Sequence, residues 1–303
     1  MGYSARYHAA SLAAVFLALA IGILIGVGLG NKIVRSTTRG LERSLKSDLA
    51  DTRDRNETLQ AQFNQERDFS EQIYPALVGN LLSGRRIAVV ALGGLPENMD
   101  GDISSVVGAD SPTAAQLREV AVVREPPDLP GLAAAAPKGT PARGVARNPD
   151  ALSALAKRMG QSLIAGGPAL ARYRDPLLSR TSGRAGRIDA VILVRGRPTN
   201  LGPAQSAATD ALEAGILAGF ERRSAVPVVG VERSDSDPSS IGFYTSAGLP
   251  ATVDSIDLVS GRVALAYALG GAQGNYGIKS TADRLLPELV QPAAPPGLAP
   301  GSR

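Results

Sequence analysis

The segment 187–194 reads RIDAVILV, and its apolar, β-branched run is typical of a strand buried on both faces of a sheet. After it, residues 203–222 begin with Pro203 and have the pattern of a long amphipathic helix. Residues 226–231 read VPVVGV and predict another buried strand. Strand, helix and strand in this order predict a βαβ unit with two parallel strands.

The same alternation continues on both sides of this unit. Residues 86–92 read RIAVVAL and predict a buried strand, and residues 118–124, REVAVVR, predict an outer strand because their pattern partly alternates. Helices are predicted at 151–165, with Asp150 as the N-cap, and at 261–269. Apolar strands alternating with helices predict an α/β fold, a three-layer sandwich with a mostly parallel sheet.

We expect this globular α/β domain to span residues 85–290. Within it, residues 125–148 are rich in Pro, Ala and Gly, which predicts a loop insertion. Residues 291–303 have a similar composition and too few large apolar side chains to form a core, so we expect a disordered tail.

Near the start of the chain, residues 9–29 read AASLAAVFLALAIGILIGVGL and carry no charge. As a helix this run is long enough to cross the roughly 30 Å hydrocarbon core of a bilayer. A cleaved signal peptide is the alternative, but its apolar core is usually shorter, roughly 7–15 residues. We therefore predict a transmembrane anchor over 9–30, preceded by a short N-terminal segment, 1–8.

Three glycines in this span, Gly22, Gly26 and Gly30, are spaced four residues apart and share one helix face. Glycines on one face let two membrane helices approach closely, so these residues are candidates for helix packing between copies. The alternative is that glycine is simply common in membrane helices.

Residues 31–80 are polar and almost free of Gly and Pro, which predicts a continuous helix that ends near Pro75 and Gly79. From position 45 onward one set of residues recurs at spacings of four and three, which is heptad spacing. The set is Leu45, Leu49, Thr52, Asn56, Leu59, Phe63, Glu66, Ser70, Ile73 and Leu77. Four of these ten positions are polar, so we expect a weak parallel coiled-coil stalk, with a solvated single helix as the alternative. Anchor and stalk together predict a homo-oligomer.

The composition of the 303-residue chain excludes several kinds of chemistry. It contains no cysteine and one histidine, His8, so disulfides, cysteine-based metal sites and Ser/His/Asp catalysis in the soluble part are excluded. The net charge of +4 is spread along the chain, apart from basic residues just after the anchor that can contact anionic lipid. We therefore predict a lipid bilayer and no nucleic acid as partner.

Two features at the ends of predicted strands are candidates for ligand contact. Gly93 and Gly94 follow the first strand, but Leu95 and Pro96 come next, which does not match a phosphate-binding fingerprint. Two arginines, at 195 and 197, follow the central strand, where open α/β sheets bind ligands. They could contact an anion, but a solvated loop is the simpler interpretation.

Four aspartates form two further candidate groups. Asp235 and Asp237, in SDSDPSS, resemble part of a calcium loop but lack its remaining ligands, so a turn is the better interpretation. Asp254 and Asp257 precede a predicted helix, and we expect them to cap it or to stabilise its dipole.

The two ends of the chain resemble the MctB-type copper transporters of actinobacteria. The resemblance rests on residues 6–22, RYHAASLAAVFLALAIG, and on 253–257, VDSID, 261–269, GRVALAYAL, and 274–277, GNYG. It implies a role in copper homeostasis or efflux across the cell envelope. It also implies that an anchor in the cytoplasmic membrane holds the α/β domain on the extracytoplasmic side.

The charges beside the anchor favour the opposite orientation. Basic residues follow the span, whereas Arg6 and the amino terminus precede it, and the positive-inside rule would leave the domain in the cytoplasm. The basic residues are Lys32, Arg35, Arg39, Arg43 and Lys46. Because a long domain can translocate despite flanking charge, we follow the orientation that the resemblance implies.

The chain offers few copper ligands. Copper(I) prefers thiolate and thioether, and the chain has no cysteine and only three methionines, Met1, Met99 and Met159. We therefore assign no metal-ligating, cofactor-binding or catalytic residue and expect no enzyme activity. The alternative function is a membrane-anchored scaffold that binds an envelope protein partner without handling copper.

Overall fold

The fold is that of a computed structural model that describes residues 5–166, 168–184, 186–221 and 226–289. For residues 5, 6, 29–44, 168, 169 and 221 it describes the backbone alone. The predicted tail, 291–303, lies outside the described residues. The chain divides into two compact units, residues 1–68 and 69–303, and each is described by itself.

Helix α1 (Ala5–Val78) begins the described chain and contains, among the described residues, one segment long and apolar enough to cross a membrane. That segment is Tyr7–Gly28, and its 22 residues span about 33 Å at 1.5 Å per residue. As predicted, the helix continues without interruption and ends just before Gly79. Whether residues 31–80 form a coiled coil stays a prediction.

The second unit is built on one seven-stranded sheet with the strand order β3-β2-β1-β4-β5-β6-β7. Its strands are β1 (Arg86–Gly93), β2 (Gln116–Val123), β3 (Leu178–Gly183), β4 (Ala190–Gly196), β5 (Val228–Val231), β6 (Ala251–Val253) and β7 (Gly274–Tyr276). All neighbouring pairs are parallel except β2 with β3. The predicted α/β fold with a mostly parallel sheet is therefore confirmed.

The centre of the sheet is the pair β1 and β4, which run parallel from Ile87 opposite Ala190 to Gly93 opposite Gly196. Their residues are buried almost throughout, as expected for strands covered on both faces. At the amino end of the pair, the Arg86 guanidinium donates two hydrogen bonds to Asp189, at 2.8 and 2.9 Å. These hydrogen bonds lower the pKa of Asp189 to about 2.

Helices cover both faces of the sheet and complete the three layers. They are α2 (Met99–Val107), α3 (Leu129–Ala135), α4 (Pro149–Ala165), α5 (Pro168–Leu177), α6 (Pro203–Glu221), α7 (Ile241–Ser246) and α8 (Val259–Gly270). Side chains of α3 to α7 share one core with one face of the sheet, and those of α2, α8 and the end of α1 share the core on the other. Helices α4 and α6 cross closely at Gly160. Their backbones are so near there that a Cβ on Gly160 would lie only 2.3 Å from the Ile216 carbonyl oxygen.

The last turns of α1 belong to this second core. Tyr74 and Val78 are buried, and the Arg262 guanidinium of α8 lies 5.1 Å above the Tyr74 ring and pairs with Glu71. The Tyr267 hydroxyl, also on α8, donates to the Leu77 carbonyl oxygen at 3.3 Å. Two residues of GRVALAYAL therefore fix the end of α1 to the α/β unit.

Several sequence-based expectations need correction. Strand β2 is not an outer strand, because β3 pairs with it in antiparallel orientation and takes the edge. Helix α4 is capped by the Asn148 side chain, which accepts from the amides of residues 150 and 151, so Asp150 lies in the first turn. Residues 125–148 are not a structureless loop, since they contain α3, with Leu132 buried, and a short 3₁₀ helix, Pro141–Gly144.

Candidate functional site

The strand order places the candidate site at the carboxyl edge of the sheet. The connection after β1 leads to α2 on one face, and the connection after β4 leads to α6 on the other. Ligands of open α/β sheets bind at such a reversal of direction. An open cavity of about 580 Å³ lies here, lined by the loops that follow β1, β4 and β5.

Arg195, at the end of β4, pairs with Glu213 of α6. Its Nε and Nη2 atoms donate to the two carboxylate oxygens at 2.7 and 2.9 Å, and the Glu213 side chain is only 1% exposed. The guanidinium also lies 4.0 Å above the Phe243 ring. Burial is the largest single influence on the pKa of Arg195 and acts to lower it, but the hydrogen bonds to Glu213 and the charges of the neighbouring acidic groups together raise the pKa. The two hydrogen bonds of this charge pair hold the guanidinium in one geometry.

Arg197 pairs with the same helix. Its guanidinium pairs with Asp210, lies 3.4 Å from a Glu213 oxygen, and donates to the Ser206 hydroxyl at 2.7 Å. The arginines at 195 and 197 were candidates for anion contact or for a solvated loop. Instead, carboxylates of the chain itself already occupy them.

Glu125, which follows β2, lies beside these pairs and differs from them. Both of its carboxylate oxygens are buried and have no hydrogen-bond partner among the described residues. The carboxylate lies against β1, with Oε2 2.9 Å from the position that a Cβ on Gly93 would take. Burial, followed by the nearby charge of Glu213, raises the pKa of Glu125 to about 8. Glu125 is therefore mostly protonated and neutral at pH 7.

The sequence gives little signal for Glu125. It stands in a Pro-rich stretch that was expected to be a loop, and its carboxylate lies against β1 and near the charged groups of α6, both of which are far away in the sequence. By contrast, Asp210 and Glu213 are three residues apart on a predicted helix that directly follows the two arginines. That spacing places both carboxylates on one helix face and could have predicted the pairing.

On the other side of the cavity, Arg233 follows β5 and is held by three contacts. Its guanidinium pairs with Asp102 of α2 and lies 3.2 Å from an Asp235 oxygen, while its backbone amide donates to the Ser236 hydroxyl at 3.1 Å. Asp235 lies in a turn, as predicted, and Asp237 is exposed in the same loop. Asp235 therefore helps to hold the loop after β5.

Glu232, directly after β5, is buried and fully used by the chain. Its carboxylate accepts from the Lys279 ammonium at 2.6 Å, from the Ser239 hydroxyl at 2.8 Å and from the Ser240 amide at 2.5 Å. This ion pair connects the loop after β5 to the segment after β7. Both oxygens of Glu232 therefore already accept hydrogen bonds from the chain itself.

Asp254, after β6, holds the segment that follows β7. Its two oxygens accept from the amides of Ile278 and Lys279, each at 2.9 Å. Gly277 makes this possible, because its φ is +143° and a Cβ there would lie 1.8 Å from Asp254 Oδ1. Asp254 was expected to cap the helix that follows or to stabilise its dipole; it does not cap that helix, because its oxygens accept from the chain after β7.

Asp257 has a similar role. It accepts from the Ser234 amide at 2.7 Å and from the Ser234 hydroxyl at 2.6 Å. The cap position of α8 is Leu258, which makes no side-chain capping bond. Asp257 therefore stabilises the loop after β5 and does not cap α8.

The glycines after β1 do not form a phosphate-binding loop. The Gly94 amide donates to the Gly196 carbonyl oxygen at 3.0 Å, so the ends of β1 and β4 are closed against each other. Helix α2 then begins with Asp100 and Asp102, whose negative charge disfavours an anion at its N-terminus.

The residues of the types that bind copper do not lie together in the described structure. Met99 and Met159 are buried in the cores on opposite faces of the sheet, and His8 is exposed on α1. Met1 lies outside the described residues. Within the described part of the chain, no group of three or more His, Cys, Asp and Glu side chains could hold a metal ion.

Comparison with known families matches residues 3–287 to the family described as copper transport outer membrane protein, MctB. Comparison with curated proteins and with solved structures finds no match. The match covers nearly the whole chain and includes the apolar segment of α1 and the entire sheet. The chain is therefore a member of the MctB copper transport family, a membrane-associated family whose resemblance was visible at both ends of the sequence.

Proposed function

We propose that this protein is a single-pass, non-enzymatic protein of the cell envelope that supports copper efflux through a partner. In this proposal α1 is the anchor in the cytoplasmic membrane, and the α/β unit is extracytoplasmic. The unit contacts an envelope protein instead of holding copper itself. The observation that carries the proposal is that the three arginines and Glu232, which line the cavity at the carboxyl edge of the sheet, pair with other groups of the chain.

At this edge, α/β enzymes usually leave polar groups free for substrate. Here the three arginines that line the cavity pair with carboxylates of α2 and α6, and Glu232 is fully used by Lys279 and the loop after β5. Breaking such pairs to admit a ligand would leave buried charges without partners. The edge therefore favours a rigid binding surface over a catalytic centre.

The donor chemistry also supports an indirect role. Copper(I) sites in proteins use thiolate and thioether sulfur, and copper(II) sites favour imidazole. The two described methionines are buried on opposite faces of the sheet, and the single histidine lies in the membrane segment. These groups cannot converge on one ion without rearrangement of the core.

The role in copper homeostasis can be tested in a strain that lacks the gene. We expect this strain to be hypersensitive to copper, and we expect the full-length gene to restore growth. A variant that starts at residue 31 lacks the anchor and is the matched control, which should fail to restore growth. Normal growth of the deletion strain in copper would contradict a role in copper homeostasis. The alternative function, a membrane-anchored scaffold that does not handle copper, would then be favoured.

The orientation can be tested separately, because the chain has no cysteine. Lys138 is exposed in the α/β unit, and a Lys138→Cys variant introduces a single reactive thiol. We expect a membrane-impermeant maleimide to label it from outside the cytoplasmic membrane. Labelling only after that membrane is broken would show that the unit is cytoplasmic, as the flanking charges favour.

A further inference from the structure

Between positions 45 and 63, α1 exposes four large apolar side chains. Leu45, Leu49, Leu59 and Phe63 are 58%, 51%, 61% and 58% exposed. A regular helix that leaves residues of this size in water is expected to bury them against something else. No other described element of the first unit lies beside them, because that unit consists of α1 alone.

The four side chains lie on one helix face. In heptad notation Leu49 and Phe63 take a positions, and Leu45 and Leu59 take d positions. Asn56 takes the a position between them. These residues form a seam on α1, and we use that name for them below.

We propose that the seam binds the seam of a second copy, in a parallel dimer with the two helices in register. Asn56 supports this occupant, because a single asparagine at an a position specifies a two-stranded arrangement and its register. In register, each Asn56 meets its counterpart, and the two amides can bond to one another.

The charges beside the seam favour the same arrangement. In a parallel dimer, Asp48 at a g position faces Arg53 at the e position of the other copy, which gives two attractive contacts. In an antiparallel dimer, e positions face e positions, and these include Lys46 and Arg53. Like charges would then face each other, and they would offset the attraction between Asp48 and Arg55, whose g positions also face each other in that arrangement. The membrane segment also lies at the same end of every copy, which favours parallel pairing.

The seam alone is a weak interface. Thr52 and Asn56 replace apolar residues at two of its central positions. Two anchors in the same bilayer raise the effective concentration of one helix for the other, which strengthens pairing without new contacts. The dimer is therefore expected in the membrane and requires the full-length chain.

Single-cysteine crosslinking tests this pairing directly, because the chain has no cysteine of its own. Leu59→Cys places a thiol at a d position, where the two copies come close enough for a disulfide. Ala61→Cys is the matched control, because Ala61 lies at an f position on the far side of the helix and is also exposed. Each full-length variant is oxidised with diamide in isolated membranes.

We expect Leu59→Cys to yield at least tenfold more covalent dimer than Ala61→Cys. Equal yields would indicate random collision, and no dimer from Leu59→Cys would exclude a parallel dimer in register. Either result would overturn the proposal.

A second pair of variants tests the role of Asn56. In the Leu59→Cys background, Asn56→Asp places two like charges in the seam and should lower the yield at least fivefold. Asn64→Asp makes the same chemical change at an exposed b position and should leave the yield unchanged. An equal effect of the two substitutions would contradict the assigned seam.

Discussion

Replacing Glu125 with glutamine should remove a pH dependence of folding that the wild-type protein has. Burial raises the pKa of Glu125 from its ordinary 4.5 to about 8, so the folded protein holds a proton that the unfolded chain has lost at neutral pH. The contribution of this group to stability is therefore fully present below pH 4.5. It is lost as the pH rises towards 8.

The magnitude follows from the size of the shift. Each pKa unit corresponds to about 1.4 kcal/mol, and the interval from pH 5 to pH 8 covers most of the shift. Although its oxygens are buried, the Glu125 residue as a whole is only half-buried, so screening reduces the expected loss in the free energy of unfolding to roughly 2 to 3 kcal/mol over this interval. Glu125→Gln is neutral at every pH, so it should match the wild type near pH 5 and be more stable at pH 8.

Urea unfolding of the full-length protein in non-ionic detergent, followed by tyrosine fluorescence, measures this difference. The chain has seven tyrosines and no tryptophan, and Tyr244 is fully buried in the α/β unit. Glu97→Gln removes an exposed carboxylate at the same edge and should keep the wild-type pH profile. If the free energy of unfolding changed with pH in the same way in the wild type and in Glu125→Gln, the reasoning would be refuted. That result would mean that the Glu125 carboxylate is solvated or paired.

Three further predictions follow from the contacts of the two units. Arg195→Met should destabilise the α/β unit by about 3 to 5 kcal/mol, because it leaves the buried Glu213 charge unpaired, and the added substitution Glu213→Leu should restore most of the loss in urea unfolding. Gly277→Ala should lower the melting temperature more than Asp254→Asn in thermal unfolding, since its Cβ would collide with the carboxylate that holds the chain after β7. Gly26→Leu should lower the yield of seam crosslinks in membranes if this glycine face packs against a second anchor, and an unchanged yield would contradict that packing.

The central part of the fold could be predicted because its pattern is local. Strand β4, helix α6 and strand β5 each have an apolar run of the expected length, and together they define the parallel sheet. Strand β3 reads LSRTSG and has no apolar run. It forms because the edge of β2 is free to pair with it. The sequence of β3 itself contains no pattern that would predict this pairing.

The end of the sheet could not be predicted for a similar reason. Strands β6 and β7 have three residues each, and β7 begins with a glycine. They are stabilised by the Asp254 carboxylate, which bonds to the chain after β7 across more than twenty residues. Such a contact depends on tertiary structure, so the aspartate resembled a helix cap in the sequence.

The candidate site was predicted in position but not in chemistry. The arginines after β4 stand where ligands bind in this class of fold, and the structure places them at the cavity. Their partners come from α6, and Glu125 comes from a segment that was expected to be a loop. The chemistry of the site therefore depends on charge pairs between residues of different strands and helices.

Copper binding by the purified full-length protein in detergent tests the central claim most directly. The protein is titrated against a competing chelator, once for copper(I) and once for copper(II). We predict no stoichiometric binding in either oxidation state, because the sulfur and imidazole donors lie apart in the described structure. Tight binding of one ion per chain would contradict the proposal that the protein acts on copper through a partner, and it would make direct handling of the ion the leading account.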